Sequence, residues 1–221
     1  MRSATVFLLG AIWALSALAD PVEYAVRWYP SQGGPDSVSN VLKYLKVKES
    51  KIKQFDVRYF VVVQSEKLPA GYSVIGRERT SSGSKEATYK VRGPAPMPEE
   101  LAGWRCPLIG NFESKAEIDV SWTGDKIPKR SFSLSCSVEK STFSNALPTG
   151  YSAIATNCES KVERHKAGNL KIERWTLPFG KQVFEVSLEG DDTQVDLQNF
   201  ETQVVKPLLE HKISPIKDSK T

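Results

Sequence analysis

Apolar and polar residues alternate with a period of two over most of this chain. Val22 to Tyr29 (VEYAVRWY) sets Val22, Tyr24, Val26 and Trp28 against Glu23, Ala25 and Arg27, the pattern of a half-buried strand. Gly33-Gly34-Pro35 breaks it. Asp36 or Ser37 can cap a helix in which Val38, Val41, Leu42 and Leu45 recur at helical spacing. Phe55 to Val63 is rich in β-branched and aromatic residues and predicts a second strand. Tyr72 to Thr80 and Glu86 to Arg92, separated by Ser81-Ser82-Gly83-Ser84, predict a hairpin. A Pro-rich stretch from Gly93 to Pro98 opens a region without a clear period up to Glu113. Lys115 to Trp122 and Arg130 to Glu139 alternate around a polar turn, and after a loop Leu170 to Leu177 and Gln182 to Glu189 pair around Pro178-Phe179-Gly180. Leu197, Phe200, Val204 and Leu208 mark a C-terminal helix that Pro207 should bend or shorten. The expectation is a mainly β (α+β) domain over residues 20–221. It comprises eight strands in an antiparallel barrel or strongly curved sheet, with two or more peripheral helices.

The polar faces of these strands are ordered. Arg77 aligns with Arg79, Lys90 with Arg92, Lys115 with Glu117 and Asp119, and Glu185 with Ser187 and Glu189. Solvated outer faces of an ordinary sheet satisfy this pattern, and so does a closed sheet with its charges turned inward. In the second arrangement arginine and lysine pairs make a phosphate cradle, and facing carboxylates hold a hard divalent cation. Both signs in one lumen require that they compensate each other, or a ligand plus metal.

The order of these elements resembles the CYTH superfamily of triphosphate tunnel enzymes. The resemblance rests on an opening charged strand, a helix at PDSVSNVLKYL, an R-x-R strand (Arg77, Arg79) and a strand ending K-x-R (Lys90, Arg92). An E-x-D strand (Glu117, Asp119) and a late carboxylate-bearing strand (Glu185, Glu189) complete it. It implies an eight-stranded antiparallel barrel around a tunnel, with Arg27, Arg77, Arg79, Lys90 and Arg92 binding an anion. It also implies Glu23, Glu117, Asp119 and Glu185 around Mg²⁺ or Mn²⁺. The family's E-x-E-x-K strand is here Glu23-x-Ala25-x-Arg27, so one carboxylate is missing and metal binding should be weakened.

Composition adds a destination. Arg2, the apolar run Val6 to Leu18 and the small residues Ala17-Leu18-Ala19 form a secretory leader over residues 1–19, too short for the roughly 20 residues a membrane span needs. No later segment is long and apolar enough to span a membrane, so a secreted or periplasmic, monomeric protein is expected. Net charge is +4, spread along the chain, and the leader carries one unit of it; nothing here points to nucleic acid. Of three cysteines, Cys136 falls on an apolar face and reads as a buried thiol, leaving Cys106 and Cys158, in loop-like stretches, as the expected disulfide. His165 and His211 are isolated and read as solvent-exposed, not as metal ligands.

Two functions follow. One is an exported tunnel-like barrel that binds a phosphorylated or polyanionic ligand, with weak metal-dependent phosphohydrolase activity as an extension. The other is a non-enzymatic secreted interaction protein, a host-directed or envelope factor on a degenerate scaffold. A serine hydrolase finds no support, since no G-x-S-x-G occurs. Secreted material should begin at Asp20; an intact mass that retains residues 1–19 would refute the leader.

Overall fold

A computed structural model describes residues 21–63, 67–125 and 127–216. The leader lies outside these residues. Nine strands follow in order: β1 (Pro21–Trp28), β2 (Lys51–Val63), β3 (Ser73–Ser81), β4 (Ser84–Pro94), β5 (Phe112–Trp122), β6 (Lys129–Glu139), β7 (Ser152–Ala167), β8 (Leu170–Thr176) and β9 (Gln182–Asp191). Four α-helical segments accompany them: α1 (Val38–Leu45), α2 (Phe143–Ala146), α3 (Gln194–Phe200) and α4 (Lys206–Glu210). The strands close into a barrel in the order β1-β5-β6-β4-β3-β2-β7-β8-β9, with β1 pairing β9 antiparallel and β5 parallel.

The expected eight antiparallel strands are therefore nine, one of whose pairings is parallel. The additional strand is β7, a segment expected as loop. Its sequence, SAIATNCESKVERHKA, shows no apolar side, because residues on both faces are polar. It nevertheless pairs with β2 over most of its length, with Tyr59 set against the three residues 156–158 in a bulge.

Local sequence explains the helices and turns. Ser37 caps α1, its hydroxyl accepting from the Asn40 amide, as expected of that position. The β3–β4 turn places Ser82 and Gly83 at positive φ, which suits a two-residue hairpin loop. Between α3 and α4 the chain runs through a π-helical turn, Glu201–Val205, just before Pro207, which brings no amide hydrogen to the helix ladder. No helix of the described residues is long and apolar enough to cross a membrane.

The apolar faces point outward into a covering layer. Tyr24, Trp28, Val120, Phe132, Leu134 and Phe184 pack with Val41, Phe143, Phe200, Val204 and Leu208 of the helices, and with Leu101 and Leu108 of the β4–β5 connection. Gly76 permits this closeness at α2, since a Cβ there would sit 2.5 Å from the Phe143 ring.

The β4–β5 connection corrects the cysteine assignment. Cys106 is bonded to Cys136, not to Cys158. Cys136 does lie on the buried apolar face of β6, as expected, but the connection crosses that face and brings the two Cα atoms within 5.9 Å. Cys158 is free and exposed. The histidines divide: His165, expected at the surface, is buried, each ring nitrogen facing a carboxylate (Glu49 and Glu163), whereas His211 is exposed as expected and stacks on Tyr44.

A non-reduced peptide map should join Cys106 to Cys136 and leave Cys158 alkylatable. Because the bridge closes a 30-residue span, Cys106→Ser should lower unfolding stability by roughly 3–4 kcal/mol. Equal urea midpoints for variant and wild type would contradict a structural role.

Candidate functional site

With the apolar faces outward, the register brings the charged faces into the barrel. Arg27 of β1 lies beside Glu185 of β9, Glu185 beside Glu173 of β8, and Glu173 beside Arg164 of β7. On the other side Glu23 lies beside Asp119, Glu117 beside Ser133, and Ser133 beside Arg92. Strand β6 contributes Ser131, Ser133, Ser135 and Ser137 to this interior, and these short side chains leave room for the long ones of β4 and β5. The interior is polar along only part of its length. Tyr29, Val57, Tyr59, Trp175 and Val183 pack there with Ile75, Leu177 and Ile216 as a second apolar cluster.

Every carboxylate expected at a metal has a basic or hydroxyl partner. Glu185 is 2% exposed and ion-pairs with Arg27, whose guanidinium also donates to Ser121 Oγ at 3.1 Å. Glu117 accepts from Lys90 at 3.0 Å and from Lys115 at 2.6 Å. Asp119 faces Arg92 at 3.2 Å and Lys90 at 3.8 Å, and accepts from Ser133 Oγ. Glu23 accepts from Ser187 Oγ at 3.2 Å with Lys171 Nζ at 3.8 Å. Burial alone would raise the Glu117 carboxyl, but Lys90 and Lys115 together bring it down to about 2. Ala25 sits in register between Ser121 and Ser187, so no carboxylate occupies that level of β1. Among the described residues no three His, Cys, Asp or Glu side chains gather as an ion would require. The residues present therefore do not fit a divalent metal, and no chemical step is assigned to one.

The expected anion-binding residues fall into two groups. Arg27, Lys90 and Arg92 are matched by the carboxylates just named. Arg77 and Arg79 are not matched one for one: both approach the single Glu86, at 3.4 and 3.6 Å. Arg77 also donates to Thr88 Oγ1 at 3.1 Å, yet its Nε is buried without a partner. Arg164, which the sequence did not single out, joins them. The guanidinium carbons of Arg79 and Arg164 lie 4.8 and 5.1 Å from the centre of the Phe55 ring, and Arg164 pairs with Glu173 at 2.6 Å. Burial, and then the neighbouring Arg77 and Arg164, pull Arg79 down to about 9. A cavity of about 1120 Å³ opens at this end, lined in part by Phe55, Arg79, Glu86 and Val162.

Fold and interior together define a closed barrel with a charged lumen. No family model matches the chain and no curated protein matches it. Among solved structures, the chain is similar to the PH1012 protein from Pyrococcus horikoshii OT3, with 11% identity, TM-score 0.50, and coverage of 90% of this chain and 96% of that one. It also matches a proposed adenylate cyclase from Vibrio parahaemolyticus at 11% identity and TM-score 0.48, covering 89% and 94% of the two chains. A third match is HpAC1 from Hippeastrum, for which a dominant triphosphatase activity is described, at 9% identity and TM-score 0.46, covering 90% and 91%. At these identities the likeness is one of fold.

The low acidity range of Glu117 has a measurable sign. Its folded carboxyl is depressed below the ordinary 4.5, so its contribution to stability is present above that value and is lost as pH falls toward 2. The full amount is about 3 kcal/mol. Urea unfolding at pH 7, 4 and 3 should show a shallower loss for Glu117→Gln than for wild type. Parallel profiles would refute the assignment.

Proposed function

We propose that this protein is an exported barrel that binds a phosphorylated or polyanionic ligand at the arginine-rich end of its lumen, without metal-dependent turnover. The observation that carries this reading is the imbalance there. Three guanidinium groups, Arg77, Arg79 and Arg164, share two carboxylates, Glu86 and Glu173, and one buried N–H lacks an acceptor. An entering phosphate supplies the acceptor oxygens and the negative charge, and arginine's fork suits it bidentately. Burial first, and then repulsion from Arg77 and Arg164, lowers the proton affinity of Arg79, and a bound anion offsets that repulsion.

The resemblance to the tunnel enzymes supports the same ligand class, but the chemistry of this interior favours binding over catalysis. The four carboxylates that the resemblance assigns to Mg²⁺ or Mn²⁺ are engaged by lysine, arginine or serine, and Ala25 stands where that family places a further carboxylate. That observation favours the non-enzymatic interaction protein as the use to which the binding is put. The Cys106–Cys136 bridge supports an oxidising destination, secreted or periplasmic, in keeping with the leader.

Thermal-shift titration with tripolyphosphate tests the proposal. At a hundredfold excess over Kd, binding stabilises by about 2.7 kcal/mol, or roughly 5–10 °C for a chain of this size. Arg77→Ala/Arg79→Ala should abolish the shift, Mg²⁺ should add little, and phosphate release should stay at background. An unshifted wild type would sink the proposal, and metal-dependent release would show that the carboxylates exchange their partners for an ion.

A further inference from the structure

Resting on the reading above, we infer that the ligand is a linear anionic polysaccharide, bearing sulfate or carboxylate groups, that runs out of the arginine recess along a strip of lysines on β2 and β7. Alternation puts Lys51 and Lys53 on the face of β2 that carries Phe55, and Lys166 on the face of β7 that carries Arg164. The register sets Lys53 beside Arg164 and Lys51 beside Lys166, and Lys171 of β8 extends that second row. The basic recess thus continues to the rim of the barrel, where Lys51, Lys53 and Lys166 are exposed. Like charges directly opposite one another weaken a sheet, and the nearby acids do not relieve these. Glu49 and Glu163 face His165, Glu173 holds Arg164, and Glu189 takes Lys171. Asp56 lies on the opposite face of β2, and Glu139 stands three strands away on β6. Among the described residues Lys51, Lys53 and Lys166 have no carboxylate partner.

The spacing of the strip suits a sugar chain. Its rows stand about 4.8 Å apart from strand to strand and about 6.7 Å apart along each strand. A polyphosphate carries a charge at every phosphorus, more densely than this, whereas a sulfated or uronic-acid chain carries its charges a sugar ring apart. Lysine places a compact, hydrated charge on a flexible stem, which follows a mobile polymer, while the arginines of the recess grip one group in a fork. The chain leading into β2 strengthens the field, since residues 43–53 hold five lysines and one glutamate. A single-stranded nucleic acid would need aromatic faces for its bases. Residues 46–53 and 166–171 contain none, Tyr44 is stacked on His211, and two guanidinium groups already lie over Phe55.

Calorimetry with tripolyphosphate and with the disaccharide and octasaccharide of heparin, a sulfated sugar chain, tests this. The octasaccharide should bind about tenfold more tightly than the disaccharide, since each exposed ion pair it adds strengthens binding by at most a few-fold. Lys51→Gln/Lys53→Gln/Lys166→Gln, three changes on a solvated surface, should bring the octasaccharide within about twofold of the disaccharide. The same variant should lower the slope of its affinity against salt by about one per lysine. Tripolyphosphate, held by the arginines, should keep its affinity within about twofold and so report an intact recess. An octasaccharide no tighter than the disaccharide, or unaffected by the variant, overturns this inference and leaves anion binding in the recess standing. So does equally tight binding of oligothymidylate or polyphosphate of the same charge. Failure of tripolyphosphate and both sugars to bind overturns both readings.

Discussion

Charges enclosed by a protein wall must find partners, and much of this molecule is arranged to meet that demand. Removing an ion from water costs several kcal/mol even after relaxation, and attraction inside the protein offsets this only where geometry is good. The register supplies that geometry. Arg27 and Glu185 are direct neighbours across β1 and β9, Arg164 and Glu173 across β7 and β8, and Lys90 reaches both Glu117 and Asp119. Hydroxyls on β6 complete the sets without competing for space. A slip of one residue in any of these pairings would turn the charges into the covering apolar layer and the apolar residues into the lumen. Specificity of register is therefore set from both faces of the wall at once.

Compensation is uneven, and the unevenness makes the interior informative. Around β1, β5 and β9 each carboxylate has its own cation or hydroxyl. Toward β2, β3 and β7 the cations outnumber their partners and lean on an aromatic ring. Between these zones the aromatic and aliphatic cluster around Trp175 and Tyr59 fills part of the lumen. One closed surface thus holds a neutral ion-pair network, an apolar filling and a basic recess.

The sequence was legible wherever one face of a strand was apolar. Strands such as β1, β6 and β9 announce themselves through Val, Phe and Leu at every second position, and the same alternation identifies Arg77, Arg79, Lys90, Glu117 and Asp119 as one set. Strand β7 could not be read this way. Its inward Ser160 and Arg164 and its outward Lys161 and Glu163 are all polar, because one side meets a charged lumen and the other meets water. With β7 missing, Arg164 had no place beside Arg79, and the contrast between balanced and unbalanced arginines was invisible. The disulfide escaped for a different reason. Burial of Cys136 was correctly inferred, but what covers that face is a connection of irregular structure, and period carries no information about where such a segment lies.

The parallel stitch between β1 and β5 sets terms for how the chain reaches its native state. Val22 meets Ile118 on one side and Gly190 on the other, so neither neighbour of the first strand exists until roughly a hundred further residues have been made. Folding dominated by such distant pairings is slow, and unpaired edges left waiting invite association with other chains. Strands β3 and β4, joined by a two-residue loop, can pair at once. β1, although made first, can close the cylinder only after β9 has emerged. This late dependence keeps the barrel open until nearly the whole length of the chain has been made.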